Sequence, residues 1–445
     1  MDKDVLRQGV FFALQQPNYV ANPYRLYHRL RSKNPFYWDF VQCGWFLTRY
    51  AHVRAALADP RLTIKNFPFD VSQLPPDLQS DLAPFERVMN KAVLHNDGSE
   101  HERLRRPLNR AFNPSAFERL RPEIQLQADE LLAAAERRRS MDVMGDYSRP
   151  LANYMISELL GLPHTDRAEF IKWCDRLREF ISAPRMDRET VLKAKEAVTN
   201  LEAIRAYIRK MIADRRANFA DDLIGRAFAM EANEAPPTED EILANCVFFV
   251  HTGARNMAAS IANAVVTLLG HPEQFARLRE NPHLIAIAVE ELLRYETPVQ
   301  VATRGLPEEI EFAGRRIGPK QLLILLLGAA NRDPEQFADP DRLDLTRHPN
   351  QHVSFGVGPH GCIGGRLARF GLAIALGAIL RRKTELRLKP GKLQWNFPAI
   401  RRTVHALPVF VDERLRSSQR SSLRRVHGLP PKSNRFAQTQ MVPLN

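Results

Sequence analysis

The feature that most restricts the fold is a helical segment from Glu239 to Leu269 that is too apolar to lie on a protein surface. Its middle, Cys246 to Val250, would be apolar on every side of a helix, so it has to run through the interior. Between about Glu100 and Arg294 the chain repeats charged and apolar residues at helical spacing. We therefore expect a mainly α protein whose other helices pack around one buried helix.

Breaks in this pattern predict where individual helices end. They lie at Asn113-Pro114, at Gly161-Leu162-Pro163, at Pro184 and at Ala235-Pro236-Pro237. Prolines and aromatic residues without sustained periodicity between residues 62 and 95 predict a long irregular loop. Loops of this kind often cover binding sites.

Strand patterns are short and lie towards both ends of the chain. An amphipathic helix (Pro23 to Arg31), a strand (Gly44 to Thr48) and a helix starting near Ala51 predict a helix, a hairpin and a second helix. Further strand patterns precede a last helix; they are Val299 to Val301, Ile310 to Phe312 and Leu322 to Leu327, and the helix runs from about Ile363 to Arg381. Since no linker divides these parts, the sequence predicts a single mainly α domain with small β-sheets over residues 1–413.

The 445-residue chain carries a formal charge of +13, which raises the question of nucleic-acid binding. Residues 414–445 contain seven of the Lys and Arg residues and no acidic residue, so much of the excess charge lies in this terminal segment. Its polar composition without apolar periodicity predicts disorder. The remaining chain is only modestly basic, and we expect no nucleic-acid partner.

Nothing in the sequence predicts a membrane span or export. The longest apolar run, Leu322 to Ala330, is much shorter than the ~20 residues that cross a bilayer. The start, Met1 to Asp4, does not open a secretory signal. The four cysteines include no CxxC pair, which argues against a disulfide framework or structural zinc; they are Cys43, Cys174, Cys246 and Cys362. We expect a monomeric cytoplasmic protein.

The strongest chemical signal is the loop Ser354-Phe355-Gly356-Val357-Gly358-Pro359-His360-Gly361-Cys362-Ile363-Gly364-Gly365-Arg366. Five glycines between Gly356 and Gly365 let the backbone adopt conformations closed to other residues and approach a flat ligand closely. Cys362 stands at the start of a predicted helix, where unpaired amides and the positive helix end favour a thiolate. The alternative is a glycine-rich turn around a core cysteine.

The pattern Phe-Gly-x-Gly-x-His-x-Cys-x-Gly, from Phe355 to Gly364, resembles the haem-ligating loop of the cytochrome P-450 family at every fixed position. The sequence that resembles this family extends from about Asn22 to Pro408. The resemblance implies the family's mainly α fold, haem b as cofactor, Cys362 as the axial ligand of the iron, and Phe355 and Gly364 beside the haem. Electron donation from a thiolate favours O–O cleavage, so the resemblance also implies a monooxygenase that uses O2.

The resemblance gives a structural role to Glu291 and Arg294, which lie three residues apart on one helical face and can pair. The family has such a pair, joined by a further arginine ahead of the haem loop, and Arg347 resembles that partner. A buried carboxylate between two arginines must be fully hydrogen bonded. Without this context, a solvent-exposed ion pair would be the simpler interpretation.

Four residues resemble the family's contacts to the haem propionates. They are His101 and Arg105 on one helical face, Arg304 after a strand pattern, and His360 in the cysteine loop. Two buried carboxylates need charge-assisted donors, and guanidinium groups offer bidentate geometry. Each residue alone fits a surface role equally well, but the four matching positions support one another.

The chain departs from the family where the long helix crosses the haem. Family members usually carry Ala/Gly-Gly-x-Asp/Glu-Thr there, and the acid and the alcohol relay protons through water; this chain reads Thr252-Gly253-Ala254-Arg255-Asn256. Three interpretations are open. Asn256 could hold the relay water while Thr252 supplies a hydroxyl. Arg255 could instead bind an acidic substrate, as in the family's peroxide-using fatty-acid hydroxylases, or it could point away into a salt bridge.

A chain without a fused reductase takes its electrons from a partner. By resemblance, a group of arginines clusters on the thiolate side of the haem, where it would steer an acidic ferredoxin that is reduced by a ferredoxin reductase. The group consists of Arg103, Arg106, Arg110, Arg366 and Arg369. The alternative is a merely solvated helix face.

The substrate site is expected to use the loop over residues 62–95 together with apolar side chains at Phe248, Phe249, Val299 and Val301. These suit a hydrophobic small molecule such as a terpenoid, steroid, polyketide or fatty acid, although core packing explains them equally well. The sequence thus predicts a monooxygenase that hydroxylates or further oxidises such a molecule. The alternatives are a peroxygenase whose acidic substrate is held by Arg255, and a non-catalytic nucleic-acid-binding or haem-sensor protein.

Overall fold

The structure, a computed structural model, describes residues 9–64, 76–181, 188–228, 236–396 and 400–413. Several sequence predictions lie outside these residues: the helix breaks at Pro184 and Ala235, residues 65–75 of the expected loop, and the terminal segment from residue 414.

Helices form most of the described chain. In chain order they are α1 (Val10–Leu14), α2 (Pro17–Ala21), α3 (Tyr24–Lys33), α4 (Tyr50–Ala58), α5 (Pro76–Met89), α6 (Gly98–Ala111), α7 (Pro114–Arg138), α8 (Arg149–Leu160), α9 (Arg167–Ile181), α10 (Arg188–Ala217), α11 (Leu223–Phe228), α12 (Glu239–Phe248), α13 (Arg255–Gly270), α14 (Pro272–Glu280), α15 (Ile285–Tyr295), α16 (Leu327–Ala330) and α17 (Gly365–Arg381). Two π-helical segments, Val143–Ser148 and Phe249–Ala254, and two 3₁₀ helices, Val93–His95 and Pro282–Leu284, complete the set. Within the described ranges, no helix is both long and apolar enough to cross a bilayer.

The strands form small sheets. They are β1 (Phe36–Asp39), β2 (Gly44–Leu47), β3 (Ser140–Asp142), β4 (Val301–Gly305), β5 (Ile310–Phe312), β6 (Arg315–Ile317), β7 (Leu322–Leu326), β8 (Thr384–Leu388), β9 (Trp395–Asn396), β10 (Thr403–Val404) and β11 (Pro408–Glu413). The largest sheet has the order β1-β2-β7-β4, with β2 and β7 parallel and the other neighbours antiparallel. The others are β3-β11-β8, β5-β6 and β9-β10. The predicted combination of many helices with small sheets is confirmed.

The buried helix predicted from Glu239 to Leu269 is present as α12, the π-helical segment Phe249–Ala254 and α13. It begins at a capping box in which the Glu241 amide donates to Thr238 Oγ1 at 3.3 Å and the Thr238 amide donates to Glu241 Oε2 at 2.8 Å. Val247 and Ile261 are buried, and α13 packs against α8, α15 and α17. The interior position follows from the apolar surface on all sides of this helix.

The predicted helix, hairpin and second helix are confirmed as α3, β1–β2 and α4. Two boundaries differ slightly from the prediction. The last helix starts at Gly365 rather than Ile363, and β4 starts at Val301, while Val299 pairs with Arg401 in an isolated bridge. Both differences concern ends of elements, where the local sequence signal is weakest.

The prediction of an irregular loop over residues 62–95 was wrong for its second half. Helix α5 occupies Pro76–Met89 and continues through Pro84. Leu82, Phe85 and Met89 recur at helical spacing and are buried. Burial of this apolar face outweighs the single backbone hydrogen bond that a proline removes.

Glu291 and Arg294 of α15 are fully buried and pair with each other. Arg294 donates from Nε to Oε2 at 2.7 Å and from Nη2 to Oε1 at 2.8 Å. Arg347 Nε lies 3.2 Å from Oε2, and the Asp344 amide and Asn350 Nδ2 each donate to the carboxylate at 3.0 Å. The carboxylate is therefore surrounded by donors, as its burial requires.

Arg294 links this cluster to the chain that leads into the cysteine loop. Its Nη1 donates to the Asn331 carbonyl at 2.8 Å. The Asn331 side chain accepts from the Val353 amide and donates to Ser354 Oγ, both at 2.8 Å. The cluster thus fixes the backbone immediately before Phe355.

We expect Glu291→Gln to lower the free energy of unfolding by roughly 3–5 kcal/mol, because the two arginine charges lose their buried partner. Chemical denaturation followed by circular dichroism measures this loss. The control is Glu309→Gln, which removes the exposed pair between Glu309 and Arg316 and should cost less than about 1 kcal/mol. Equal losses in the two variants would contradict the structural role of Glu291.

Candidate active site

The cysteine loop is a tight backbone structure that depends on two of its glycines. Gly356 and Gly358 have φ values of +65° and +76°, which side chains disfavour. A Cβ at Gly358 would lie 2.8 Å from Ala58 Cα, because the loop rests against the end of α4. The Cys362 amide donates to the Phe355 carbonyl at 2.8 Å and closes the loop.

Cys362 retains accessible surface, yet protein surrounds it closely enough that burial raises the pKa of its thiol. The sulfur thus lies in a recess. The nearby backbone amides of Gly364 and Gly365 and the charges of Arg105 and Arg369 act against burial and favour its ionised form. This donor set fits a thiolate that a metal ion keeps deprotonated.

Arg105 of α6 holds the loop from the side. Its Nη1 donates to the Pro359 carbonyl at 2.9 Å and its Nη2 to the Gly361 carbonyl at 2.5 Å. The guanidinium therefore fixes the backbone directly before Cys362 and brings a positive charge close to the sulfur.

Two histidines meet next to this loop. The rings of His101 and His360 have centroids 4.2 Å apart, and His360 Nε2 lies 2.8 Å from Asp97 Oδ1. Burial, together with the charges of His360 and Arg105, lowers the pKa of His101 to about 4. His101 is therefore a neutral imidazole at physiological pH.

Arg304 of β4 is the most deeply buried cation of this group, with 7% of its surface exposed. Its Nη1 donates to the Thr303 carbonyl at 2.9 Å, and no other hydrogen bond joins its side chain to a described residue. Burial lowers its pKa, while the nearby charge of Asp97 acts in the opposite direction. A guanidinium with unused donors in such a position fits a carboxylate ligand.

The four residues predicted to bind propionates are thus brought to one region beside Cys362. His101 contacts His360, Arg105 contacts the cysteine loop, and Arg304 is coupled electrostatically to His360 and Asp97. A sulfur donor next to several cationic and imidazole donors matches the chemistry of haem, which has one iron and two carboxylates. The residues present therefore fit this cofactor.

Phe355 and Gly364, the other two loop residues expected beside the haem, lie close to Arg369 and to the sulfur. The Arg369 guanidinium carbon lies 4.4 Å above the Phe355 ring, and a Cβ at Gly364 would lie 3.9 Å from the Cys362 sulfur. Gly364 therefore lies beside the sulfur, and Phe355 contacts Arg369, whose charge favours the ionised form of that sulfur.

The segment Thr252 to Asn256 lies at the junction of the π-helical segment with α13. π-Helical turns inside α-helices often mark functional sites. Asn256 Oδ1 accepts a hydrogen bond from Arg401 Nε at 2.7 Å. Thr252 and Arg255 are half-buried, and no side-chain hydrogen bond joins Thr252 to another described residue.

The expected substrate residues separate into two groups. Phe249 is buried and packs against Phe112 with a centroid distance of 5.1 Å, and Phe248 lies beside it, partly exposed. Val299 is also partly exposed, next to Arg401. Val301, in contrast, packs in a core cluster around Tyr27 and Leu326.

Asp97 and Arg401 belong to the site but were not recognised in the sequence. Asp97 accepts hydrogen bonds from Thr63 Oγ1 at 2.5 Å and from His360, and these bonds outweigh its burial and lower its pKa. Its position directly before α6 was a usable signal, because aspartate is common there. Arg401 lies in no motif, and nothing local in the sequence indicates its partner.

Known proteins are similar to this chain in sequence and in fold. The family model of cytochrome P-450 matches residues 79–395. The biotin biosynthesis cytochrome P-450 of Bacillus subtilis (strain 168) is 34% identical over 400 residues, which cover 88% of this chain and 96% of that protein. The polyketide biosynthesis cytochrome P-450 PksS of the same organism is 32% identical over 399 residues, which cover 87% and 95%. The crystal structure of P-450BioI in complex with hexadec-9Z-enoic acid ligated acyl carrier protein has a TM-score of 0.77 and 33% identity, covering 89% of this chain and 99% of that chain.

We expect Gly358→Ala to lower the free energy of unfolding by roughly 3 kcal/mol, because the new Cβ combines a disfavoured φ with a backbone clash at α4. The control is Gly314→Ala, where φ is +73° and no atom lies within 4 Å of the position that the added methyl carbon would take. It should cost only about 1 kcal/mol. Chemical denaturation compares the two, and equal losses would show that contact with α4 does not constrain the loop.

Proposed function

The chain belongs to the cytochrome P-450 family and is a haem-thiolate monooxygenase with haem b as its cofactor, and we propose that Cys362 is the ligand of the haem iron. The observation that carries this assignment is the position of Cys362 in a glycine-rich loop whose Pro359 and Gly361 carbonyls Arg105 binds, which brings a positive charge close to the sulfur. Haem, when bound, would supply the activation of O2, which takes up two electrons and two protons so that one oxygen atom enters the substrate and the other leaves as water. The enzyme therefore requires O2, a redox partner and a hydrophobic substrate.

The haem carboxylates are held by Arg304, His101, His360 and Arg105. Arg304 supports this assignment best, because it is buried with unused donors. His101 is neutral and can donate one hydrogen bond, and His360 is oriented by Asp97. Arg105 contributes its positive charge while its donors hold the cysteine loop.

Thr252 supplies the hydroxyl for proton delivery, while Asn256 holds an oxygen atom beside it by donating a hydrogen bond. The hydroxyl of Thr252 has no side-chain partner among the described residues, so it can serve as the hydroxyl that the first interpretation of the motif requires. The relatives named above support the monooxygenase, and none of their names supports the peroxygenase or a non-catalytic protein.

The substrate is an apolar molecule of the fatty-acyl or polyketide class. Phe248 and Val299, which are apolar and partly exposed, support an apolar site. The names of the relatives point the same way: one structure holds a fatty-acyl carrier protein, and one relative acts in polyketide biosynthesis. Val301 contributes to core packing and not to this site.

The redox partner is an acidic ferredoxin that is reduced by a ferredoxin reductase. Arg106 and Arg366 are exposed and support a positive docking face. Arg103 is paired with Glu100 and Glu241, and Arg369 with Glu290, so these two contribute less net charge to that face.

The enzyme is a cytoplasmic monomer whose catalytic domain spans residues 1–413, with the basic segment 414–445 outside it. The uneven charge of the sequence, with seven Lys and Arg and no acidic residue after residue 413, supports a separate role for the terminal segment.

We expect the reduced protein to show a strongly red-shifted Soret band under carbon monoxide, and Cys362→Ser to abolish it, since the band reports a thiolate ligand. The matched control is Cys43→Ser, which changes an exposed cysteine in the β1–β2 turn and should leave the band unchanged. A red-shifted band that persists in Cys362→Ser would disprove the ligand assignment.

We expect Arg304→Gln to weaken haem binding roughly 10- to 100-fold, because one charge-assisted contact to a carboxylate is lost. Haem affinity is measured by titrating the haem-free protein and following the absorption of the bound cofactor. Arg316→Gln, which removes an exposed arginine of β6, is the control and should leave the affinity unchanged. An unchanged affinity of Arg304→Gln would refute its role as a carboxylate ligand.

A further inference from the structure

The contact between Arg401 and Asn256 determines which end of the Asn256 side-chain amide can hydrogen bond to a ligand. Arg401 Nε lies 2.7 Å from Asn256 Oδ1. Arginine can only donate hydrogen bonds, so the oxygen of the amide has to face Arg401. The amide Nδ2 is then the opposite end, and it donates to no other described residue. Asn256 is half-buried, so part of the residue remains accessible to a small ligand.

Arg401 is itself held firmly in place. Its backbone bridges Val299, the Gln300 amide donates to the Ile400 carbonyl at 2.8 Å, and the Arg402 amide donates to the Pro298 carbonyl at 2.7 Å. Asn263 of α13 donates from Nδ2 to the Arg402 carbonyl at 3.0 Å. The guanidinium therefore starts from a backbone that is tied both to the chain before β4 and to the buried helix.

The helix that carries Asn256 approaches the cysteine loop through two aromatic rings: Phe249, in the π-helical segment, packs against Phe112 at a centroid distance of 5.1 Å, and a Cβ at Gly364 would lie 3.9 Å from Phe112 Cε1. The chain from Val299 to Arg304 spans roughly 16 Å at the rise of a strand, with Arg401 bonded at one end and the His360 and Asp97 region at the other. Asn256 sits in the first turn of α13, directly after the π-helical segment. The segment directly before Asn256 is thus close to the cysteine loop, and Arg401 reaches Asn256 from the chain that leads to Arg304.

We propose that Arg401 is a positioning residue that makes Asn256 a hydrogen-bond donor only, and that Nδ2 donates to the oxygen of a small ligand held over the haem. The proposal rests on the function proposed above. An alcohol can accept one hydrogen bond and donate another. An amide whose oxygen already accepts a hydrogen bond from Arg401 can only donate to a ligand. Asn256 therefore steadies an acceptor oxygen and does not pass a proton along, so protons arrive through water held elsewhere, such as at Thr252.

The test uses carbon monoxide as the ligand and the C–O stretching frequency of the reduced holoenzyme as the readout. A hydrogen bond donated to the bound molecule lowers this frequency. We expect Asn256→Asp to raise it, because aspartate keeps the oxygen that faces Arg401 but has no N–H to donate. We expect Arg401→Leu to give two bands, one near the wild-type position and one higher, because the amide becomes free to turn.

The control is Asn109→Asp, which adds the same charge on the exposed face of α6 and should leave the frequency unchanged. An unchanged frequency in Asn256→Asp, or an equal shift in the control, would overturn the proposal. A purely structural role of Arg401 would lower the stability of Arg401→Leu while leaving a single wild-type band, and this result would also overturn it.

The red-shifted Soret band of each carbon monoxide complex separates this inference from the function on which it rests. If every variant keeps that band and the C–O frequency does not respond, the donor role of Asn256 is wrong while Cys362 remains the ligand. If the wild-type protein lacks the band, the proposed function itself fails.

Discussion

A carboxylate without access to water has to be surrounded by donors, and Glu291 meets this condition with groups from α15 and from residues 344–350. The same arginine that neutralises it reaches Asn331, which holds the backbone at Val353 and Ser354. The position of the cysteine loop thus depends on the satisfaction of one buried charge.

The loop itself is held from several directions. Gly358 lets it rest against the backbone of α4, Arg105 binds its carbonyls from α6, and α17 begins directly after it. The sulfur is therefore placed by elements that are far apart in the sequence. Amides and cations then favour its ionised form against the effect of burial. Position and charge of the sulfur have separate physical causes.

The parts of the molecule that could be predicted are those with a local signal. The apolar surface of the buried helix and the glycines around Cys362 each determine a conformation within a few residues. Helix α5 was missed because its prolines outweighed the buried spacing of Leu82, Phe85 and Met89. The contact between Asn256 and Arg401 could not be predicted, since it joins residues that only the tertiary fold brings together.

The parallel pairing of β2 with β7 joins strands that are separated by more than half of the chain. On the ribosome, the hairpin β1–β2 emerges early, but its neighbour is made only shortly before the cysteine loop. The nascent protein therefore carries an open strand edge through most of its synthesis. The last strand of this sheet and Cys362 are therefore synthesised close together in time, so a polypeptide that is released too early lacks both.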